Sequence, residues 1–195
     1  MKSEAILANI NQIVQLNTIE TEAFESMLIS RPFKQGELII KGGDPARYMV
    51  FVNSGYLMTY YTDKEGADHV VQFAASGWWC SDIYSISEHA RTPYSTKSLG
   101  DGEVLLLPRP AQQQLLEKYI KFEKYFRILF QNSVIRQQQR FLESYSFTAE
   151  ERYDLFAKKY PGVERYVPQK YIASYLGITP EFLSKTRKKL LQNKS

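Results

Sequence analysis

The sequence predicts an α+β protein: a glycine-punctuated antiparallel β-barrel or sandwich with flanking helices, then one long helix, then a C-terminal helix-turn-helix unit. Three observations carry that expectation. Between Phe33 and Leu107, short β-rich runs alternate with Gly36, Gly42, Gly43, Gly55, Gly66, Gly77, Gly100 and Gly102, and turn residues at such spacing mark antiparallel sheets. From Lys121 to Phe147 neither proline nor glycine occurs, so nothing interrupts a helix of roughly 40 Å at about 1.5 Å per residue. From Tyr171 to Leu190 the string YIASYLGITPEFLSKTRKKL holds two short amphipathic segments around one glycine.

Taken in order, Ala5 to Leu28 is helical in pattern, with Ile6, Ile10, Ile13 and Val14 on one stripe and Thr21 placed to precede a second short helix over Glu22 to Ile29. Strands are expected at Glu37–Lys41, Tyr48–Val52, Tyr56–Thr62, His69–Phe73 and Val104–Leu107, with Asp63 to Gly66 as a hairpin turn. A helix follows from Pro108 to Leu116, with Pro110 near its start.

Along the long helix, Phe122, Phe126, Leu129, Ser133, Arg136 and Arg140 form one row, with Tyr125, Phe130, Val134 and Phe141 beside it. This wide belt fits two arrangements. In one, a flank faces the barrel while Phe122, Phe126, Leu129 and Ser133 meet a twin helix in a parallel dimer. In the other, the helix is buried wholly within one subunit. The polar run Gln137 to Arg140, then Ser144, Ser146 and Thr148, marks the expected hinge. Thr148 and Glu151 have the spacing of a capping box for a helix over Ala149–Tyr160, which turns Tyr153, Phe156 and Ala157 inward and stops at Pro161-Gly162. The expected division is therefore 1–120, 121–147 and 148–195.

In the last unit, Ile172, Ala173 and Leu176 share a buried stripe, and Gly177 supplies a left-handed cap. Thr179, Pro180 and Glu181 then offer an N-cap hydroxyl, a first-turn proline and an acid facing the helix dipole. Phe182, Leu183, Thr186 and Leu190 are expected to pack inward, leaving Glu181, Ser184, Lys185, Lys188 and Lys189 outward. A basic helix anchored on a second helix is a shape the major groove of duplex DNA admits. A helical hairpin with a merely solvated basic face has the same pattern.

Charge supports the first reading. The chain of 195 residues carries a net +4, yet Glu150 to Ser195 holds ten Lys and Arg against five Asp and Glu, or +5, leaving 15 against 16 elsewhere. Such a basic module suits a polyanion. The 44% hydrophobic content is that of a globular chain, and no apolar run is long enough to span a bilayer, so a cytoplasmic location and no membrane partner are expected. Cys80 is alone and has no internal disulfide partner, and it is expected to be a small buried hydrophobe beside Trp78 and Trp79. His69 and His89 lack zinc-site spacing and fall short of a cupin's metal set, so no metal is expected. No nucleophile elbow, P-loop or metalloprotease motif occurs, and no catalytic residue is assigned.

In order and content these parts resemble the Crp/Fnr family of bacterial transcription regulators, in a Bacteroidetes-type branch. The resemblance covers nearly the whole chain. It is carried by KGGDPARYMVFVNSGYL at Lys41–Leu57, and by AEERYDLFAKKYPG with VPQKYIASYLGITPEFLSKTRKKL over Ala149–Leu190. It implies a jelly-roll (double-stranded β-helix) sensor of the cyclic-nucleotide-binding type, a dimerising long helix and a winged-helix-type DNA-binding domain. By position, Glu181, Ser184 and Lys185 match base-reading sites, Gln169 and Thr179 match phosphate contacts, and Arg187 and Lys188 extend the cationic face. Double-stranded DNA, a homodimer and RNA polymerase are the implied partners. The implied effector pocket falls at Trp78, Trp79, Asp82, Arg91, Gln137 and Gln138. A cyclic-nucleotide site needs a glycine-glutamate helix and an arginine-serine pair. Here Ser81-Asp82 and Thr92-Pro93 stand in those places, so no cyclic-nucleotide cofactor is expected and another effector is left open. The alternative is a small-molecule sensor, cyclic nucleotide included, whose helical tail only dimerises.

Overall fold

The computed structural model describes the backbone of residues 3–192 and side chains through Lys189. Helices α1 (Glu4–Asn11) and α2 (Thr18–Ser26) precede seven strands: β1 (Ile29–Phe33), β2 (Leu38–Ile40), β3 (Tyr48–Ser54), β4 (Tyr56–Thr62), β5 (Asp68–Ala75), β6 (Ser95–Ser98) and β7 (Gly102–Pro108). A short helix α3 (Ile83–Ser87) lies between β5 and β6. Then come α4 (Arg109–Lys118), the 27-residue α5 (Ile120–Ser146), α6 (Ala149–Lys159), α7 (Gln169–Leu176) and α8 (Pro180–Gln192).

The strands pair antiparallel into two sheets, β1-β7-β3 and β2-β6-β4-β5. They stack as a jelly-roll sandwich; the expected barrel does not close. Side-chain alternation explains the layering. On β3, Val50 and Val52 face the second sheet with Leu57, Ala74, Val104 and Leu106. The alternate residues Met49 and Phe51 face the opposite way, into a core built by Ile6, Ile10, Phe24, Phe122 and Phe126. The first sheet is thus covered on both faces. The second sheet puts Met58, Val70 and Phe73 on its outer face, where Phe156, Tyr160, Ile172 and Leu176 cover them.

Two strands were not legible. Ile29–Phe33, of which only Ile29 is expected in an element, as the end of a helix, pairs with β7 at the edge of its sheet, where Pro32 needs no donor. Ser95–Ser98 is polar throughout, yet Thr96 and Ser98 are buried, the former 2.9 Å from the Thr59 hydroxyl. The second N-terminal helix begins earlier than expected, because Asn17 and Glu20 form a reciprocal capping box and Thr21 lies inside the helix. Helix α5 runs unbroken through Gln137–Arg140; the break comes at Phe147, whose backbone is extended. Thr148 and Glu151 then make the expected capping box.

The chain between α6 and α7 is a single 3-10 turn (Val163–Arg165), and among the described residues no strand accompanies the helix-turn-helix. Gly102 marks one close approach in the sandwich: a Cβ there would lie 2.3 Å from the Ser54 carbonyl oxygen.

Glu20 ties the N-terminal helices to α5. Its carboxylate accepts from Lys121 Nζ and from the Asn17 backbone N–H, each at 2.8 Å, and these two bonds hold its pKa below the ordinary 4.5. A depressed carboxylate stabilises the fold above its unfolded pKa, and that contribution is lost as pH falls through the folded value. Glu20→Gln is expected to lower stability at pH 7, with the difference from the parent shrinking as urea unfolding is repeated below pH 4.5. A deficit that persists undiminished at acid pH would rule the linkage out.

Candidate nucleic-acid interface and effector cavity

The turn between α7 and α8 is built by Gly177. Its φ of 67° is left-handed, and Ile178 N–H donates back to the Ala173 carbonyl at 3.0 Å while Gly177 N–H reaches Ser174 at 3.1 Å. This is the glycine C-cap in its Schellman form. Thr179 Oγ1 then accepts from Phe182 N–H at 3.2 Å and starts α8. The Glu181 carboxyl is held below its usual range by its own backbone N–H and the Thr179 hydroxyl.

Ile172, Ala173, Leu176, Leu183 and Thr186 are buried, as expected. Phe182 is not: it is 47% exposed, because Leu183 occupies the inward position one residue on. The side chain of Leu190 lies outside the described residues. Glu181, Ser184, Lys185 and Lys188 are all exposed, and their i, i+3, i+4, i+7 spacing puts them on one helix face. Gln169 and Thr179 are exposed near the helix starts. Arg187 departs from the expectation, turning inward to Glu164 at 3.5 Å with its side chain only 30% exposed. Lys189 is paired with Glu150 at 3.0 Å. The open cationic face is therefore narrower than composition suggests, and Lys185 and Lys188 dominate it.

The implied effector residues separate into two groups. Trp78, Trp79 and Gln137 line a cavity of about 500 Å³ between β5, the segment after it, α5 and the C-terminal helices. Asp82, Arg91 and Gln138 do not line it. Asp82 instead caps α3 and accepts from Thr92 Oγ1 at 2.8 Å. Arg91 donates to the Gly43 carbonyl at 2.7 Å. Gln138 is exposed on α5. The carboxylate and guanidinium that a cyclic nucleotide would need are thus committed to loop structure, and the residues present do not fit that ligand.

Sequence reasoning missed several wall residues, among them Gln72, Arg136, Arg140, Lys159, Tyr160 and Tyr175. Arg136 and Arg140 were visible as a helical row, but no spacing signals what they meet. Arg140 donates to the carbonyls of Val71, Val70 and Tyr175, the last at 3.1 Å, and its guanidinium lies 4.1 Å from the Tyr175 ring centroid. Trp79 Nε1 donates to Tyr125 Oη at 2.7 Å, and Tyr125 donates to Asn9 at 2.6 Å. Burial pushes the Tyr125 phenol above its usual pKa.

The dimer assignment also changes. Phe122 and Phe126 are buried in the subunit's own core, while Leu129 and Ser133 line the cavity. That row faces inward because the core it fills belongs to α1, α2 and the first sheet. Apart from Ile120 at its first position, the exposed large apolar residues of α5 are Val134, Ile135, Phe141, Leu142 and Tyr145. Cys80 is buried and its thiol is pushed up by burial, as suits a packing residue. Among the described residues no group of three or more His, Cys, Asp or Glu is arranged to hold a metal, and no helix is long and apolar enough to cross a membrane.

Residues 30–119 match the cyclic nucleotide-binding domain family. The chain is 24% identical over 190 residues to electron transport regulator A of Shewanella oneidensis, covering 91% of this chain and 72% of that protein. Its fold matches FixK2 from Bradyrhizobium japonicum with a TM-score of 0.74 at 17% identity, covering 86% of each chain. It also matches a protein assigned to the Crp/Fnr transcriptional regulators from Eubacterium rectale, with a TM-score of 0.71 at 17% identity over 91% of this chain and 85% of that one.

Replacing Gly177 by alanine forces a Cβ into left-handed backbone. Gly177→Ala is expected to cost about 1–2 kcal/mol, read as a lower urea midpoint at unchanged m-value. An unchanged midpoint would mean that the turn tolerates a side chain.

Proposed function

We propose that this chain, of the Crp/Fnr type in its fold and in its sensor domain, is a transcription regulator that reads duplex DNA as a homodimer through α8. The observation that carries the reading is the exposed row Glu181, Ser184, Lys185 and Lys188 on a helix whose opposite side is anchored by Leu183 and Thr186. Residues near the N-terminus of such a helix reach base edges, while longer cations meet phosphates. Lys185 and Ser184 take the base-reading role, and Gln169, Thr179 and Lys188 take the backbone. Lysine lacks arginine's planar fork, so Lys185 gives a softer base preference than arginine would. Catalysis has no place in this reading, and RNA polymerase is a further partner only as activation of transcription would require.

The dimer contact belongs to the outer stripe of α5. Val134, Gln138, Phe141 and Tyr145 recur at 4-3-4 spacing, with Ile135 and Leu142 beside them, and Tyr145 is 81% exposed. Three apolar residues and Gln138 at this spacing on a 27-residue helix support a short coiled-coil seam. Two-fold symmetry about it presents two copies of α8 to half-sites about 34 Å apart. The cavity at Trp78, Trp79 and Gln137 is the proposed effector site. Its walls come from the sensor sheet, from α5 and from the C-terminal helices, so an occupant there touches every part that must respond.

Sequencing genomic fragments retained by the purified protein is expected to yield a palindromic site. On that site Lys185→Ala should cost about 1–3 kcal/mol with little change on random duplex, whereas Lys188→Ala should weaken all DNA alike and reduce the salt slope by about 1. Equal losses on both duplexes for Lys185→Ala would remove its base-reading role. For the seam, Val134→Glu with Phe141→Glu is expected to sediment as a monomer at micromolar concentration where the parent is a dimer. A parent already monomeric there would refute the α5 contact.

A further inference from the structure

Among the described residues, Arg152 Nε is the buried side-chain nitrogen left without a hydrogen-bond partner. Arg152 stands on the wall of a second cavity, about 430 Å³, bounded by α5, α6 and α7. The same wall carries Arg136, Arg140, Lys158 and Lys159 against one lining carboxylate, Glu143. Two of these cations are committed: Lys158 pairs with Asp154 at 2.6 Å, and Arg140 spends its donors on three carbonyls. Arg136 uses Nε on its own helix, on the Asn132 carbonyl at 3.2 Å. Lys159 lies over the Trp78 and Tyr160 rings at 5.7 and 5.3 Å.

A buried guanidinium nitrogen without an acceptor is costly, and more so where neighbouring cations repel it. Nε itself lies beneath the surface of the cleft, so an anion from outside the chain, held by the terminal nitrogens of Arg152 and by its cationic neighbours, offsets the repulsion rather than filling the Nε vacancy. Three cations not paired with any carboxylate among the described residues, two of them guanidinium forks, suit a group with several oxygens and two negative charges. Tyr175 and Leu155 add apolar wall.

We propose that this cleft binds a phosphorylated small metabolite, its phosphate oxygens on Arg136, Arg152 and Lys159 and its less polar part against Tyr175. The site is separate from the position a cyclic nucleotide would take beside Asp82 and Arg91. Because α5 supplies one wall and α6 with α7 the other, the ligand fastens the helix-turn-helix unit to the long helix.

The test is calorimetric titration of the full chain with inorganic pyrophosphate at physiological ionic strength, without DNA. One saturable site per chain is expected. Arg136→Ala and Arg152→Met should each weaken it about ten-fold or more, the size of a lost charge-assisted hydrogen bond. Lys64→Ala, which removes an exposed cation outside the cavity wall, should leave it unchanged. The proposal fails if no saturable heat appears, if Lys64→Ala weakens binding as much, or if neither arginine variant does. Should Arg152→Met lose its circular dichroism, Ser144→Glu, which puts a carboxylate on an exposed wall position of this cleft and not of the first cavity, takes its place and is expected to weaken binding as much. General loss of DNA affinity in Arg136→Ala with no pyrophosphate binding would make the cleft a DNA-backbone contact and overturn the proposal. Since the titration contains no DNA, its failure leaves the reading of α8 standing.

Discussion

The outer face of the second sheet is the constraint from which the architecture follows. Met58, Val70 and Phe73 point away from the sandwich interior, and β5 is the last strand of its sheet. Left uncovered, that face would expose both aromatic surface and unpaired backbone. Helix α7 answers both needs. Its Ser174 hydroxyl accepts from Val70 N–H at 2.9 Å and donates to the Asp68 carbonyl at 3.0 Å. Phe73 meets Phe156, Tyr160 and Tyr175 at centroid distances of 5.8, 5.7 and 5.3 Å. The helix-turn-helix unit is held by the second sheet through the helix that does not present the basic face.

That division of labour leaves α8 open. With α7 against β5 and α8 braced on α7 by Leu183, the row from Glu181 to Lys188 looks outward. Arg140 joins the three parts at one point: it stands on α5, donates to two β5 carbonyls and to Tyr175, and stacks on that ring. Both cavities share Arg136, Arg140, Lys159 and Tyr175. A ligand in either one therefore acts on groups that already set the position of α7 relative to the sheet, which gives a physical route from binding to the disposition of α8.

Local signals are legible where one residue decides the backbone. Gly177, Thr148 with Glu151, and the Asp63–Gly66 turn act within a few residues of themselves, so the chain spells them out. The tyrosine-rich strand Tyr56–Thr62 was legible because β-branched and aromatic runs bounded by glycine have few other uses. Ile29–Phe33 and Ser95–Ser98 were missed for the converse reason. One contains proline and the other is wholly polar, and each is a strand only because a distant partner, β7 for one and β4 with β2 for the other, pairs with it.

On the long helix the same limit appears at the level of faces. The spacing of apolar residues marks one wide apolar belt on α5, within which Phe122 and Val134 look alike. Only the packing of α1, α2 and β3 against Phe122 and Phe126 decides which side is core and which is left over. Arg187 and Lys188 are likewise adjacent cations in sequence, separated by where Glu164 happens to lie. The amino-acid order by itself determined the helices, the strands with a β-branched or aromatic run, the α7–α8 turn and the basic bias of the last unit, because these depend on residues near one another along the chain. The tertiary structure decided the direction of each face, the committed and uncommitted charges and the two cavities, because these depend on which distant surfaces must cover one another.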